Sequence, residues 1–293
     1  MIDSLTILNK NTSISVTIDK DHSVFVLGDV DLGAIQGTHN SYKYYDQVGA
    51  YIESTFLEQR SISISGWVVG DTYEQIRLSK KVLNSLINPK ELLQLLVYDE
   101  YVLEFKPDFT IQYAMPYSEN NEVLCKFLIQ GTCPDPMFKS YNPVSSQISA
   151  ISPQFHFPLV IPQNSGVIMG IKEYSPIVTI TNPGEVDTGI LIEMTCTSSV
   201  VNPKILNVDT GEYIKLNKTI SSNEKIVIST MDGNKYIHGI VGGSESNYFQ
   251  YRDWESSWLR LQPGINNIQY EADENAQALE IVISFQARYL EVQ

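Results

Sequence analysis

Cysteine, basic charge and long apolar runs are all scarce in this chain of 293 residues. The three cysteines, Cys125, Cys133 and Cys196, are odd in number and far apart. They form no C-x-x-C pair, which argues against a disulfide framework and a cysteine-built zinc site. A reducing folding compartment fits them best. Lys and Arg number 20 against 34 Asp and Glu, for a net charge of −14. Residues 1–140 carry 11 basic and 18 acidic side chains and residues 141–293 carry 9 and 16, so each half is −7. Tight nucleic-acid binding needs clustered Lys and Arg to release counterions, and no such cluster exists. An acidic surface keeps a protein soluble and repels a passing phosphate backbone. No apolar stretch reaches membrane-spanning length, so no membrane insertion is expected. Met1-Ile2-Asp3-Ser4 lacks the basic start and apolar run of a signal peptide, so ordinary secretion is not expected.

What the chain does have is β-forming residues. Hydrophobic residues make up 43%, charged ones only 18%, and there are 17 tyrosines, a mix that suits a globular, strand-rich protein. The length suggests two domains. Between two β-rich halves lies Cys133-Pro134-Asp135-Pro136-Met137-Phe138. Proline cannot donate to a sheet ladder and pushes its predecessor out of the helical region. This segment therefore reads as a boundary, with one domain over 1–138 and a second over 139–293.

In the first half, Ile14, Val16 and Ile18 alternate with polar residues as a half-buried strand, and Val24–Leu27 continues as another. Gly28–Gly49 loses its pattern and reads as a long loop or projecting hairpin, with Tyr42, Tyr44 and Tyr45 close together. Loops of this kind are usually functional or make contacts. A strand follows through Ile62 and Ile64 to Val69. One helix is expected over 71–87, with Asp71 as cap, Glu74 completing a capping box, and Tyr73, Ile76, Leu83 and Leu86 as the apolar stripe. Asn88-Pro89 ends it. Leu92–Tyr98, Tyr101–Phe105, Phe109–Tyr113 and Val123–Thr132 read as strands, with a turn at Asp99-Glu100.

The second half reads as almost purely β, with strands at Phe155–Ile161, Ile177–Thr181, Gly189–Cys196, Lys204–Val208, Glu212–Leu216, Lys225–Ser229, Trp258–Leu261, Asn267–Glu271, Leu279–Phe285 and Arg288–Val292. Turns rich in Gly, Asn, Asp and Pro separate them, and the spacing indicates a sandwich or jelly roll. There is no internal repeat.

Candidate chemistry is thin. Asp209-Thr210-Gly211 matches the tripeptide of aspartic proteases, but that chemistry needs two such aspartates, and a hairpin turn explains one. Asp29 and Asp31 lack the later oxygen ligands of a calcium loop. Glu271, Asp273 and Glu274 read as a polar turn. His22, His39, His156 and His238 never fall at metal-ligand spacing. Gly242-Gly243-Ser244 reads as a flexible loop. No catalytic residue, cofactor or metal is expected, and the chain reads as a non-enzyme. Tyr248-Phe249-Gln250-Tyr251-Arg252-Asp253-Trp254 is richer. Tyr248, Tyr251 and Trp254, beside Asp and Arg, could stack on sugar rings, or they could fill a core or an interface between copies.

The order and spacing of these segments resemble phage distal tail proteins. In the first half the resemblance rests on Arg60-Ser61-Ile62-Ser63-Ile64-Ser65-Gly66, the helix after Gly70-Asp71, the Asn88-Pro89 stop, the Tyr98–Phe105 hairpin and the closing Gly131–Phe138 segment. In the second half it rests on Phe155-His156-Phe157-Pro158-Leu159, Ile180–Glu185, Asp209–Glu212, Ser229–Lys235 and Trp258-Leu259-Arg260-Leu261-Gln262-Pro263-Gly264-Ile265-Asn266. It implies a mainly β fold: an N-terminal tail-tube-like β-sandwich or split barrel with one helix, then a galectin-like β-sandwich (jelly roll). It further implies a homohexameric ring at the distal end of a tail, assembled in the bacterial host cytoplasm and resident in the virion tail tip. The ring would join the tail tube protein to a hub or spike protein, hold receptor-binding or baseplate proteins, and let DNA through its channel without specific binding. The Gly28–Gly49 segment, with Tyr42, Tyr44 and Tyr45, corresponds to an excursion used in ring contacts. The alternative is a carbohydrate-binding module that engages host cell-wall glycans through the second domain.

Overall fold

The structure is a computed structural model that describes residues 2–21, 24–46, 48–119, 122–147, 150–153, 170–173 and 177–292. It divides into two compact units, residues 1–142 with 289–293, and residues 143–288.

The first unit contains β1 (Ser4–Asn9), β2 (Ile14–Asp19), β3 (Phe25–Asp31), β4 (Gly37–Tyr42), β5 (Tyr51–Leu57), β6 (Arg60–Gly70), α1 (Tyr73–Leu86), β7 (Leu93–Val97), β8 (Tyr101–Pro107), β9 (Gln112–Tyr113), β10 (Tyr117–Glu119), β11 (Glu122–Cys133) and β12 (Phe138–Ser140). Seven strands follow one another around a closed barrel in the order β11, β6, β3, β2, β1, β7, β8. Closure comes from β8 pairing back onto β11, Gly131 opposite Pro107 and Thr132 opposite Lys106. Neighbouring barrel strands are antiparallel except β2 and β3, which meet in parallel at Asp19 and Val26. Alternation along β1 and β7 buries Leu5, Ile7, Leu93, Leu95 and Val97. Each such aliphatic side chain contributes about 1.5–3 kcal/mol when fully buried. The β6–β11 seam is close-packed: a Cβ on Gly66 would lie 2.7 Å from the Phe127 ring and 2.4 Å from the Val26 carbonyl oxygen.

Helix α1 buries Ile76, Leu83 and Leu86. Tyr73, expected in that stripe, is exposed in the first turn, where its hydroxyl keeps to water. The cap also lies one residue later than expected. Thr72 accepts from the Gln75 amide, and the Gln75 side chain accepts from the Asp71 amide at 2.6 Å. Glu74 instead pairs with Arg77. Between β7 and β8, Tyr98 and Asp99 both have positive φ, 53° and 55°, which gives a tight turn closed by the Glu100 amide on the Val97 carbonyl.

The first unit extends past the expected boundary. Phe138–Ser140 still pairs with β8, and Asp135 caps a turn by accepting from the Met137 amide. The proline-rich segment is thus a bend inside the first unit, and the last residues, from Tyr289, return to that unit.

The second unit is a sandwich. One sheet runs Val144–Gln147, Leu279–Phe285, Leu191–Cys196, Glu224–Met231, Asn234–Val241, Ser244–Asn247. The other runs Ile177–Asn182, Gly264–Glu271, Lys204–Asn207, Tyr213–Lys215. Ile192, Met194, Ile228 and Ile283 from the first meet Ile180, Ile205, Ile268 and Tyr270 from the second in one core. The strands Asn234–Val241 and Ser244–Asn247 were not expected. Gly242 and Gly243, with φ of 57° and 82°, form the two-residue turn of their hairpin rather than a flexible loop. The strand expected at Phe155–Ile161 lies outside the described residues.

Candidate interaction surfaces

Among the described residues no group of three or more His, Cys, Asp or Glu could hold a metal ion. Asp209 sits in the turn between Lys204–Asn207 and Tyr213–Lys215, where its carboxylate accepts from the Asn267 amide at 2.7 Å and the Asn267 side chain at 3.1 Å. Those bonds hold its pKa below the ordinary value. Its geometry is that of a turn. Asp31 accepts from the Gly33 amide, Glu271 pairs with Lys204, and Asp273 pairs with Lys215. His39 bonds Thr55, and His238 bonds Glu245; His22 and His156 lie outside the described residues. The three cysteines are buried and free, and burial pushes the Cys133 thiol up to about 12. No described helix is long and apolar enough to cross a membrane.

Two surfaces remain. The first is the β4–β5 hairpin, which accounts for much of the unpatterned Gly28–Gly49 stretch and extends it through Leu57. Among the described residues the two strands pair only with each other. Their register, with Thr38 opposite Phe56 and His39 opposite Thr55, shifts at Asn40 and Ser41, so that Ser41 meets Ile52 and Tyr42 meets Tyr51. Opposed residues share a face. One face therefore carries Tyr42, Tyr51 and Phe56, and the other carries Ile52 and Leu57. Tyr42 stands edge-on to Tyr44 at 5.1 Å and tilts against Tyr51 at 5.2 Å. Tyr44, Phe56 and Tyr51 are each more than half exposed, and Tyr45 and Val48 are fully exposed. The three tyrosines are legible in the sequence as a cluster; Tyr51, Ile52, Phe56 and Leu57 are not. Among the described residues no layer covers the hairpin, and residue pattern does not report that.

The second surface is the aromatic loop, a short 3-10 turn at Phe249–Tyr251. Its three sugar-stacking candidates lie in different settings. Tyr248 packs on the sandwich core and its hydroxyl donates to Glu224. Tyr251 is half-buried, edge-on to Tyr248 at 5.3 Å. The Lys218 ammonium lies 5.0 Å from the Tyr248 ring and 5.4 Å from that of Tyr251. It also pairs at 3.1 Å with Glu224, which is buried. Trp254 is 83% exposed and offers an open ring face.

The family profile described as the siphovirus-type tail component, C-terminal domain, matches residues 183–289. The profile of the phage tail protein RIFT-related domain matches residues 14–118. Together they span most of the chain. No curated relative matches by sequence. Among solved structures, the Dit (gp 19.1) protein of phage SPP1, described as a paradigm of hub adsorption apparatus in phages infecting Gram-positive bacteria, aligns with a TM-score of 0.64 at 14% identity. That alignment covers 97% of this chain and 98% of the SPP1 chain. A chain of the phage P2 baseplate in its activated conformation with Ca aligns with a TM-score of 0.53 at 13% identity, covering all of both chains. The barrel-plus-sandwich fold is theirs. Tail and baseplate components of this kind are parts of the virion tail tip. The chain belongs to the siphovirus-type tail component family, that of the phage distal tail proteins, and is a structural part of the phage tail.

Proposed function

We propose that six copies form a ring at the distal end of the tail, connecting the tail tube to the tail-tip hub around the DNA channel. The first unit builds the ring, and the sandwich carries receptor-binding or baseplate proteins. The observation that supports this reading most is the β4–β5 hairpin. A two-stranded hairpin standing alone is marginally stable in water, and contiguous exposed apolar surface marks an interaction site. Tyr42, Tyr44 and Tyr45, with Tyr51 and Phe56, supply that surface, and a neighbouring copy would cover it. A head-to-tail contact repeated around an axis closes into a ring. The net charge of −14 suits a channel past which DNA slides without sticking. The test is sedimentation of the wild-type chain beside the triple variant Tyr44→Ser, Tyr45→Ser, Phe56→Ser. A hexamer in the wild type and a folded monomer in the variant are expected; equal oligomerisation in both removes the hairpin from the interface.

A second reading rests on Trp254 alone: cell-wall glycans stack on its open ring. Binding of glycan fragments that Trp254→Ala abolishes supports it, and an empty glycan array removes it.

A further inference from the structure

Residues 289–292 follow the second unit in sequence but group with the first. The Tyr289 ring stands edge-on to Tyr101 at 5.2 Å, and Tyr289 and Val292 pack against the barrel core. Leu290 and Glu291 are exposed. So short and half-wet a segment buries little apolar surface to offset the entropy of ordering it. A two-residue strand that ends at Tyr289 pairs with Phe138–Ser140 and anchors the start of the segment, so a further group must hold Leu290–Val292.

That group is Arg60, at the start of β6. It is 1% exposed, which is rare for an arginine. Its Nη2 donates to the Leu290 carbonyl at 2.6 Å, and its Nη1 reaches the Gly33 carbonyl at 3.4 Å. The guanidinium carbon lies 4.6 Å from the centre of the Phe138 ring. Its Nε has no hydrogen-bond partner among the described residues. Arg60, Gly33, Phe138 and Val292 line one cavity of about 240 Å³ within the first unit. A buried guanidinium is costly unless its donors are satisfied, and the Leu290 carbonyl takes the shortest of its bonds.

We infer that Arg60 is the positioning residue that fastens the C-terminal segment Tyr289–Val292 to the first unit, making that segment a strap of the barrel rather than a loose end. The bond is mutual: the segment caps a buried cation, and the cation orders the segment. Gly33 and Phe138 set the guanidinium plane, so lysine, a point charge without the planar fork, serves only in part.

Hydrogen–deuterium exchange of the full-length protein tests this, with Arg60→Met, Arg60→Lys and a chain ending at Arg288. In the wild type, with the segment ordered, the amides of 290–292 are expected to exchange more slowly than those of an unfastened segment. Arg60→Met raises their exchange by about tenfold or more and leaves Leu191–Cys196 in the second unit unchanged. Arg60→Lys gives an intermediate rate. In the chain ending at Arg288, Phe138–Ser140 loses protection, and adding Arg60→Met loosens it little further, because the arginine acts through the segment it holds. Should Arg60→Met not fold, carboxypeptidase trimming of the wild type and Arg60→Lys decides: a resistant wild type and a trimmed lysine variant are expected. Equal trimming of the two, equal exchange in wild type and Arg60→Met, or fully additive losses in the double change would overturn the inference.

Discussion

The ring of Tyr248 rests directly on the backbone at Gly239: a Cβ there would fall 2.0 Å from the ring. An inward-facing glycine on Asn234–Val241 thus makes room for an aromatic side chain from the neighbouring loop. Gly239→Ala should expel that ring and destabilise the second unit by about 1–3 kcal/mol, the usual cost of overpacking. Chemical denaturation measures it, and an unchanged midpoint would show that the ring has another place to go.

Glu224 gives a pH dependence. Burial alone would raise its pKa, but bonds from the Tyr248 hydroxyl, the Ser221 amide and Lys218 outweigh burial and hold it below the ordinary value. A depressed carboxylate lends its stability fully above the unfolded value, roughly 4.3, and loses it as pH falls through the lower folded value. The wild-type second unit should therefore weaken on acidification through that window. Glu224→Gln should be less stable at neutral pH and flatter across the acid range. Parallel acid limbs for the two proteins would show that Glu224 does not drive the effect.

The helix cap separates two adjacent residues of equal capping talent. Thr72 holds the Gln75 amide, and the Asp71 side chain has no part in that bond. Thr72→Ala should cost about 1 kcal/mol of first-unit stability, whereas Asp71→Ala should cost much less. Thermal melts of both decide it; the reverse order would put the cap back at Asp71.

Asp209 is a turn residue in this account. Asp209→Ala should lower stability at neutral pH by freeing the Asn267 amide, and acid should narrow the difference from wild type, since the carboxylate's depressed pKa means its contribution fades as pH falls. Melting curves at two pH values check this. Peptide hydrolysis that Asp209→Asn abolishes would instead assign it catalysis.

The sequence disclosed what alternation and turn chemistry encode. Ile14–Ile18, Leu279–Phe285 and the Asp209-Thr210-Gly211 turn are local patterns, and so is helix α1 to within two residues of each end. Asn234–Val241 escaped because one of its inward positions is Gly239, which breaks the hydrophobic period while filling its place with Tyr248. Barrel closure between Gly131-Thr132 and Lys106-Pro107 also escaped, since pairing partners leave no trace in either strand alone. The hairpin tyrosines were legible as a cluster. Arg60 was legible only as a strand start, because its burial depends on Gly33, Phe138 and Leu290, three segments distant in sequence. The bend at Pro134 and Pro136 looked like a boundary because proline interrupts a ladder, yet the first unit continues past it through Phe138–Ser140.

Negative-stain electron microscopy of the purified full-length chain tests the ring most directly. Six-fold rings with a central opening wide enough for duplex DNA are expected. A field of single particles at high protein concentration, with the chain also missing from purified tails, would contradict the ring.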